Sequence, residues 1–201
     1  MLFAGQIHDL IALLPWSRLR KQKAALREIL EQRRRVYDKS KAAEDAQTLL
    51  HRIADLKQFQ QAQTVLLYAP IHNEVDISGL LETYKDQKTI LLPVTHRRCM
   101  KAHPYEGEEK MHRGKYRVME PTTDPFEGNI DLILVPGVAF DYHLHRIGRG
   151  GGFYDKFLRK HPRSFKLGVG YDFQLRKTAV PHGLFDVRVD AVLTPTKSIG
   201  C

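Results

Sequence analysis

The sequence has few cysteines, no long apolar run and a deficit of acidic residues, and each shortage narrows the class of protein. Only Cys99 and Cys201 occur among 201 residues, which is too few for a disulfide framework and lacks the spacing of a zinc site. We therefore expect free thiols and a cytoplasmic protein. No apolar run reaches the roughly 20 residues of a membrane-spanning helix, so we expect a water-soluble protein with no membrane partner.

The acidic deficit leaves a strongly basic chain. Lys and Arg number 32 against 23 Asp and Glu, a formal net charge of +9. Such a surface attracts anions, which include nucleic acids and polyanionic small molecules. The basic stretches "RLRKQK" and "EQRRR" are one candidate nucleic-acid footprint. On the predicted helix these basic residues point in several directions and have acidic neighbours, and no RNA-binding aromatic signature accompanies them. This pattern favours a solvated helix face over a nucleic-acid footprint.

The chain begins with a helical region. From Ser17 to about Gln58 the composition predicts two amphipathic helices. Their apolar stripes are Leu19, Ala25, Leu26, Ile29, Leu49, Leu50, Ile53 and Leu56. Residues 1–16 form a predicted N-terminal extension, which lacks the basic start of a signal peptide. Its helical stripe of Ile7, Leu10, Ile11 and Leu14 suggests a docked segment or a partner contact.

Strands and helices alternate after this region. The segments "TVLLYAP", "TILLPV", "DLILVPGVAF", "FKLGVGYDF" and "VRVDAVLTP" predict buried strands, and "VDISGLLETY" predicts a short helix begun by Asp76 or Ser78. Residues 100–129 predict short strands and loops. The alternation predicts one domain over residues 17–201, a three-layer α/β/α fold with a mainly parallel or mixed sheet. Ligands of such folds bind at the carboxyl ends of the strands.

The stretch "HRIGRGGGFYDKFL", residues 145–158, is the strongest functional signal. Its glycines lie between a buried strand and a predicted helix, where free backbone N–H groups favour anions, and Arg146 and Arg149 add positive charge. It is not a Walker A loop, because no Gly-Lys-Ser/Thr follows. Asp155 stands just past the loop, where a carboxylate can hold Mg²⁺ together with phosphate oxygens. The alternative is a surface turn followed by an ordinary helix-start aspartate.

Asp141, His143 and His145 offer a second hypothesis. They alternate along a possible strand, a spacing that would place three metal-capable side chains on one face and suggest a metal-dependent hydrolase. Nothing else in the chain completes a zinc site.

The chain resembles the 5-formyltetrahydrofolate cyclo-ligases, also called methenyltetrahydrofolate synthetases. The resemblance rests on "KAALREIL", "YAPIHNEVDI", "LILVPGVAFDYHLHRIGRGGGFYDKFL" and "QLRKTAVPHGLFDVRVDAVLT", which occur in the family's order. It implies an ATP- and Mg²⁺-dependent conversion of 5-formyltetrahydrofolate to 5,10-methenyltetrahydrofolate, with release of ADP and phosphate. It also implies ATP and reduced folate, including polyglutamylated folate, as partners, and we expect a monomer. A binding module without catalysis is the alternative function.

The resemblance also implies roles for single residues. The ATP-binding residues it implies are Lys23, Arg27, Arg146, Ile147, Gly148, Arg149, Gly150, Gly151, Gly152, Phe153 and Tyr154. The implied folate-binding residues are Ala69, Glu74, Arg149, Gly150, Gly151, Gly152 and Phe153. Asp155 and Asp186 match the magnesium ligands, and Arg149 is expected to act in catalysis by holding the transferred phosphoryl group. The alternative for Glu74 is an ordinary helix-start glutamate.

Overall fold

A computed structural model describes residues 15–97, 99–114 and 118–201. The helices are α1 (Pro15–Arg35), α2 (Lys39–Ala54), α3 (Lys57–Gln61), α4 (Gly79–Tyr84) and α5 (Phe153–Lys160). The first strands are β1 (Thr64–Leu66), β2 (Thr89–His96), β3 (Cys99–Pro104), β4 (Met111–Arg113), β5 (Met119–Pro121) and β6 (Leu132–Pro136). The later strands are β7 (Ala139–Asp141), β8 (Arg146–Ile147), β9 (Phe165–Val169), β10 (Leu175–Arg176), β11 (Ala191–Leu193) and β12 (Ser198–Ile199). Short 3₁₀ helices span Glu108–Lys110 and Asp172–Gln174.

A seven-stranded mixed sheet in the order β12-β11-β9-β6-β1-β2-β3 forms the centre of the fold. Its five inner strands, from β11 to β2, run parallel to one another. Both outer strands, β12 and β3, pair antiparallel with their neighbours. The parallel strands therefore end at the same edge, where α/β sheets assemble ligand sites.

Helices cover both faces of this sheet, because its strands bury alternate side chains on opposite sides. Leu132 and Leu134 of β6 belong to the apolar cluster that also contains Leu49 and Ile53 of α2. Ile133 and Val135 of the same strand belong to the opposite cluster, with Phe157 and Leu158 of α5. The predicted three-layer α/β/α fold is confirmed.

A smaller sheet in the order β10-β7-β8 lies beside the main one. It packs against α1 through a separate cluster in which Leu30 meets Val138, Ala139, Ile147 and Val180. This contact fixes α1 against the segment that carries the glycine-rich loop.

The prediction of one strand over "DLILVPGVAF" is wrong, because the chain leaves the main sheet after Pro136. The carbonyl oxygens of Gly137 and Val138 accept hydrogen bonds from the Gln174 side-chain amide at 2.7 and 3.1 Å, and the next strand, β7, belongs to the small sheet. The two predicted helices are α1 and α2, and the shorter α3 begins at Lys57, near the end of the predicted region. Asp38 begins α2 by accepting a hydrogen bond from the Lys41 amide, and α3 follows α2.

The short helix predicted over "VDISGLLETY" is α4, and Ser78 rather than Asp76 is its N-cap residue. Across the described residues, no helix has the length and apolar character needed to cross a membrane. The predicted N-terminal extension covers residues 1–16. Residues 1–14, which include its predicted helical stripe, lie outside the described part of the chain.

Candidate active site

A cavity of about 470 Å³ opens at the carboxyl ends of three neighbouring parallel strands. Tyr68 and Ala69 follow β1, Thr95 lies near the end of β2, and Pro136 ends β6 and is followed by Gly137. A cavity of this size suits a small-molecule ligand.

Every residue that the family resemblance assigns to ATP, folate or magnesium lines this cavity. They are Lys23, Arg27, Ala69, Glu74, Arg146, Ile147, Gly148, Arg149, Gly150, Gly151, Gly152, Phe153, Tyr154, Asp155 and Asp186. The structure thus brings together side chains from α1, the segment after β1, the glycine-rich loop and the segment before β11.

The glycine-rich loop connects β8 to α5. Gly150 and Gly152 have φ angles of 103° and 67°, in the left-handed region where a side chain is strained. Gly152 is the N-cap residue of α5, so the N–H groups of the helix's first turn face the same region as Asp155. The loop conformation requires glycine at these two positions, which the sequence supplies.

Helix α1 presents cations, rather than an apolar stripe, to the cavity. Lys23 and Arg27 line it, and Leu30 is buried one turn later. The predicted stripe is wrong at Ala25 and Ile29, which are exposed, because the inner face of the helix lies one position further along the chain. The apolar pattern did not identify the inner face of this helix, because the helix covers a polar cavity as well as an apolar core.

Lys23 and Arg27 bind separate parts of the site. Lys23 donates a hydrogen bond to the Asp186 carboxylate. Burial raises the pKa of Asp186, but the Lys23 ammonium and the Gly183 amide outweigh it and hold that pKa below its usual value. Arg27 donates from Nε to the Gly148 carbonyl oxygen at 2.7 Å, which fixes the start of the glycine-rich loop.

Asp155 is held by groups from two segments. Its Oδ1 accepts hydrogen bonds from Arg146 Nη2 at 3.0 Å and from the Val187 amide at 3.1 Å. The second bond ties Asp155 to the residue that follows Asp186, so the two carboxylates lie in one part of the cavity. Two hard oxygen donors beside a glycine-rich loop have the chemistry that Mg²⁺ prefers.

Glu74 and Arg149 form the other end of the site. Glu74 Oε1 accepts a hydrogen bond from Arg149 Nε at 3.0 Å, and Arg149 Nη2 also donates to the Ile71 carbonyl oxygen at 3.1 Å. Glu31 of α1 lies 3.6 Å from Arg149 Nη1. Glu74 precedes the N-cap Ser78 by four residues and lines the cavity, so the helix-start alternative for Glu74 is wrong.

Some cavity residues were not found from the sequence. Tyr68, Thr95 and Met100 line the cavity. They follow β1 or lie on the β2–β3 hairpin, beside the edge at which an α/β sheet binds ligands, and this position in the sequence could have identified them.

In the described part of the chain, Thr95 Oγ1, Arg146 Nε and the Tyr154 hydroxyl are buried without a hydrogen-bond partner, and all three residues line the cavity. Such groups suit a polar ligand.

The hypothesis of a metal site at Asp141, His143 and His145 is not supported, because these residues form a turn whose polar atoms bond one another. The buried Asp141 carboxylate accepts hydrogen bonds from the amides of His143, His145 and Val180. His145 Nδ1 lies 3.2 Å from Asp141 Oδ2, and its Nε2 accepts from Arg188 Nε at 2.9 Å. Over the described ranges, no group of three metal-capable side chains occurs.

This cluster predicts a pH effect on stability. Burial lowers the pKa of His145, with His182 and Arg188 acting in the same direction against Asp141. Because the folded state disfavours the protonated imidazole, stability is expected to fall as the pH drops below about 6.5, the ordinary histidine value. Urea unfolding at pH 7.5 and 5.5 should show a smaller difference for His145→Gln than for the wild type. His143→Gln, at an exposed position, is the control and should behave like the wild type.

The fold and the site together define a class of protein. A cavity at the carboxyl edge of a parallel sheet, with a glycine-rich loop, a helix N-terminus and four lining cations, has the features of an anion-binding site in an α/β enzyme.

Comparison with known proteins identifies the family. The sequence pattern of the 5-formyltetrahydrofolate cyclo-ligase family matches residues 19–195, and the chain belongs to that family. It is 28% identical over 179 residues to the 5-formyltetrahydrofolate cyclo-ligase of Escherichia coli strain K12, covering 84% of this chain and 98% of the relative. It is 32% identical over 197 residues to the enzyme of the same name from Mycolicibacterium smegmatis, covering 89% and 96%.

A solved structure has the same fold. The NMR structure of 5,10-methenyltetrahydrofolate synthetase from Aquifex aeolicus matches with a TM-score of 0.79 and 28% identity, over 88% of this chain and 91% of that one. The protein described here is thus an enzyme of the ligase class that acts in folate one-carbon chemistry.

Proposed function

We propose that this protein uses ATP and Mg²⁺ to cyclise 5-formyltetrahydrofolate to 5,10-methenyltetrahydrofolate, with residues 17–201 as the catalytic domain. The observation that supports it best is the convergence of all the assigned ATP, folate and magnesium residues on one cavity. We further propose a cytoplasmic monomer without a nucleic-acid partner, whose excess of positive charge favours the anionic glutamate tail of folates, including polyglutamylated ones.

The chemistry requires activation of an amide-like carbon. The formyl oxygen attacks the γ-phosphorus of ATP and ADP leaves, which converts that oxygen into a good leaving group. The neighbouring folate nitrogen then attacks the formyl carbon, loses its proton, and phosphate departs to leave the methenyl bridge. Phosphoryl transfer of this kind depends on positioning and on neutralising charge, and needs no protein nucleophile.

One end of the cavity binds the ATP phosphates and the other binds the folate. Lys23, Arg27 and Arg146 neutralise the polyphosphate, and the amides of the glycine-rich loop donate hydrogen bonds to it. Asp155 and Asp186 are the residues that would hold Mg²⁺, which when bound neutralises phosphate charge.

Glu74 orients the folate at the other end, by accepting hydrogen bonds from N–H groups of its heterocycle. Arg149 lies beside Glu74 and on the loop that binds phosphate, so it can reach the phosphoryl group as it moves between the two substrates.

The direct test is to incubate the pure protein with ATP, Mg²⁺ and 5-formyltetrahydrofolate and to follow the methenyl absorbance together with ADP and phosphate. We expect the three products in equal amounts, and none when ATP is omitted or a chelator is added. A folded protein that binds ATP but forms no methenyl product would contradict the proposal and favour a binding module.

A further inference from the structure

Arg34 is a buried cation that the proposed reaction does not use. It lies in the last turns of α1 and is 2% exposed. No hydrogen-bond partner for Nε, Nη1 or Nη2 exists among the described residues. A buried guanidinium without hydrogen bonds is costly, so a nearby negative charge must compensate it.

Glu74 supplies that negative charge. Arg34 Nη1 lies 3.5 Å from Glu74 Oε1, and the two side chains are only 2% and 8% exposed. Burial lowers the pKa of Arg34, and the Glu74 carboxylate is the largest influence that opposes this. The ion pair therefore has little screening by water.

Glu74 Oε1 thus faces two arginines that differ in their freedom to move. Arg149 is 29% exposed and lies on the glycine-rich loop. Arg34 is fixed on a helix whose preceding turn is anchored by the buried Leu30. Under the proposed function, in which Arg149 reaches toward a phosphoryl group, Arg34 would be the cation that stays against the carboxylate.

We propose that Arg34 is a positioning residue, which holds the Glu74 carboxylate in the orientation that binds the folate heterocycle, independently of Arg149. The role rests on the proposed function, in which Glu74 contacts folate. It makes α1 responsible for both substrates, through Lys23 and Arg27 at the phosphate end and through Arg34 at the folate end.

A double-mutant cycle tests this role. The wild type, Arg34→Met, Glu74→Gln and the double variant are titrated calorimetrically with 5-formyltetrahydrofolate and, separately, with ATP. Glu74→Gln should weaken folate binding roughly ten- to a hundredfold, through loss of a charged hydrogen bond. Arg34→Met should weaken it about tenfold, with ATP affinity changed less than about twofold. The double variant should bind folate no worse than Glu74→Gln, because Arg34 acts through Glu74.

Two further variants separate positioning from folding. Arg34→Lys keeps the charge and should restore part of the folate affinity that Arg34→Met loses, and it remains available if Arg34→Met does not fold. Arg35→Met removes a neighbouring, exposed cation and should bind both ligands like the wild type. In steady-state assays the loss at Arg34 should raise KM for folate more than it lowers kcat.

Three results would overturn the role of Arg34. The first is an equal loss of ATP affinity and folate affinity, and the second is a loss of folate affinity in the double variant equal to the product of the two single losses. The third is unchanged folate binding in folded Arg34→Met and Arg34→Lys. A wild type that binds folate but forms no methenyl product refutes only the proposed reaction. A wild type that does not bind folate refutes both.

Discussion

Replacing Arg149 with methionine is expected to lower kcat about a thousandfold or more, the size of effect seen when an arginine that stabilises a transferring phosphoryl group is removed. ATP binding should weaken much less, because Lys23, Arg27 and Arg146 remain in the cavity. Single-turnover kinetics with saturating substrates, together with titration of ATP, measures the two effects separately.

Two variants control for the loss of charge. Arg149→Lys keeps the cation but loses the planar fork, and its kcat should lie between the wild type and Arg149→Met. Arg163→Met removes an exposed arginine outside the cavity and should keep wild-type kcat. A wild-type kcat with a raised KM for folate in Arg149→Met would mean that Arg149 only helps to bind substrate.

The second large effect concerns the two aspartates. Asp155→Asn and Asp186→Asn each remove a charge and keep an oxygen that can accept the hydrogen bonds described above, so we expect both variants to fold. Loss of several kcal/mol of metal-assisted stabilisation predicts a fall in kcat/KM of about 30- to 1000-fold. Assays over a range of Mg²⁺ concentrations should show a raised requirement for Mg²⁺ and partial recovery at high concentration.

Asp86→Asn, at an exposed position outside the cavity, is the matched control and should leave the Mg²⁺ dependence unchanged. If Asp155→Asn and Asp186→Asn also kept the wild-type dependence, these aspartates would serve only as partners of Arg146 and Lys23.

The layered fold and the glycine-rich loop could be predicted because both are encoded locally. Continuous apolar runs define the strands of a sheet that is covered on both faces, and the spacing of Gly150 and Gly152 allows a loop that other residues cannot form. The break at Gly137 could not be predicted, since it depends on hydrogen bonds from Gln174, 37 residues further along the chain.

The inner face of α1 shows a second limit of the sequence. An amphipathic pattern places apolar residues inward, but this helix also borders a polar cavity. Three consecutive arginines, residues 33–35, look equivalent in the sequence, and only one is buried. Lys23, Arg27, Leu30 and Arg34 follow one another at intervals of three or four residues, so they lie on one face of the helix. This spacing could have shown from the sequence which of the three arginines is buried.

Helix α1 also fixes the distance between the two ends of the site. Lys23 and Arg34 are separated along its axis by roughly 16 Å, because each residue of an α-helix advances about 1.5 Å and turns by about 100°. Under the proposed function this fixed length sets how far the metal-bound phosphates lie from the folate ring. A single inserted residue between Arg27 and Arg34 would rotate one end of the site away from the other, so the spacing of these two arginines is itself a requirement for bringing both substrates into reach.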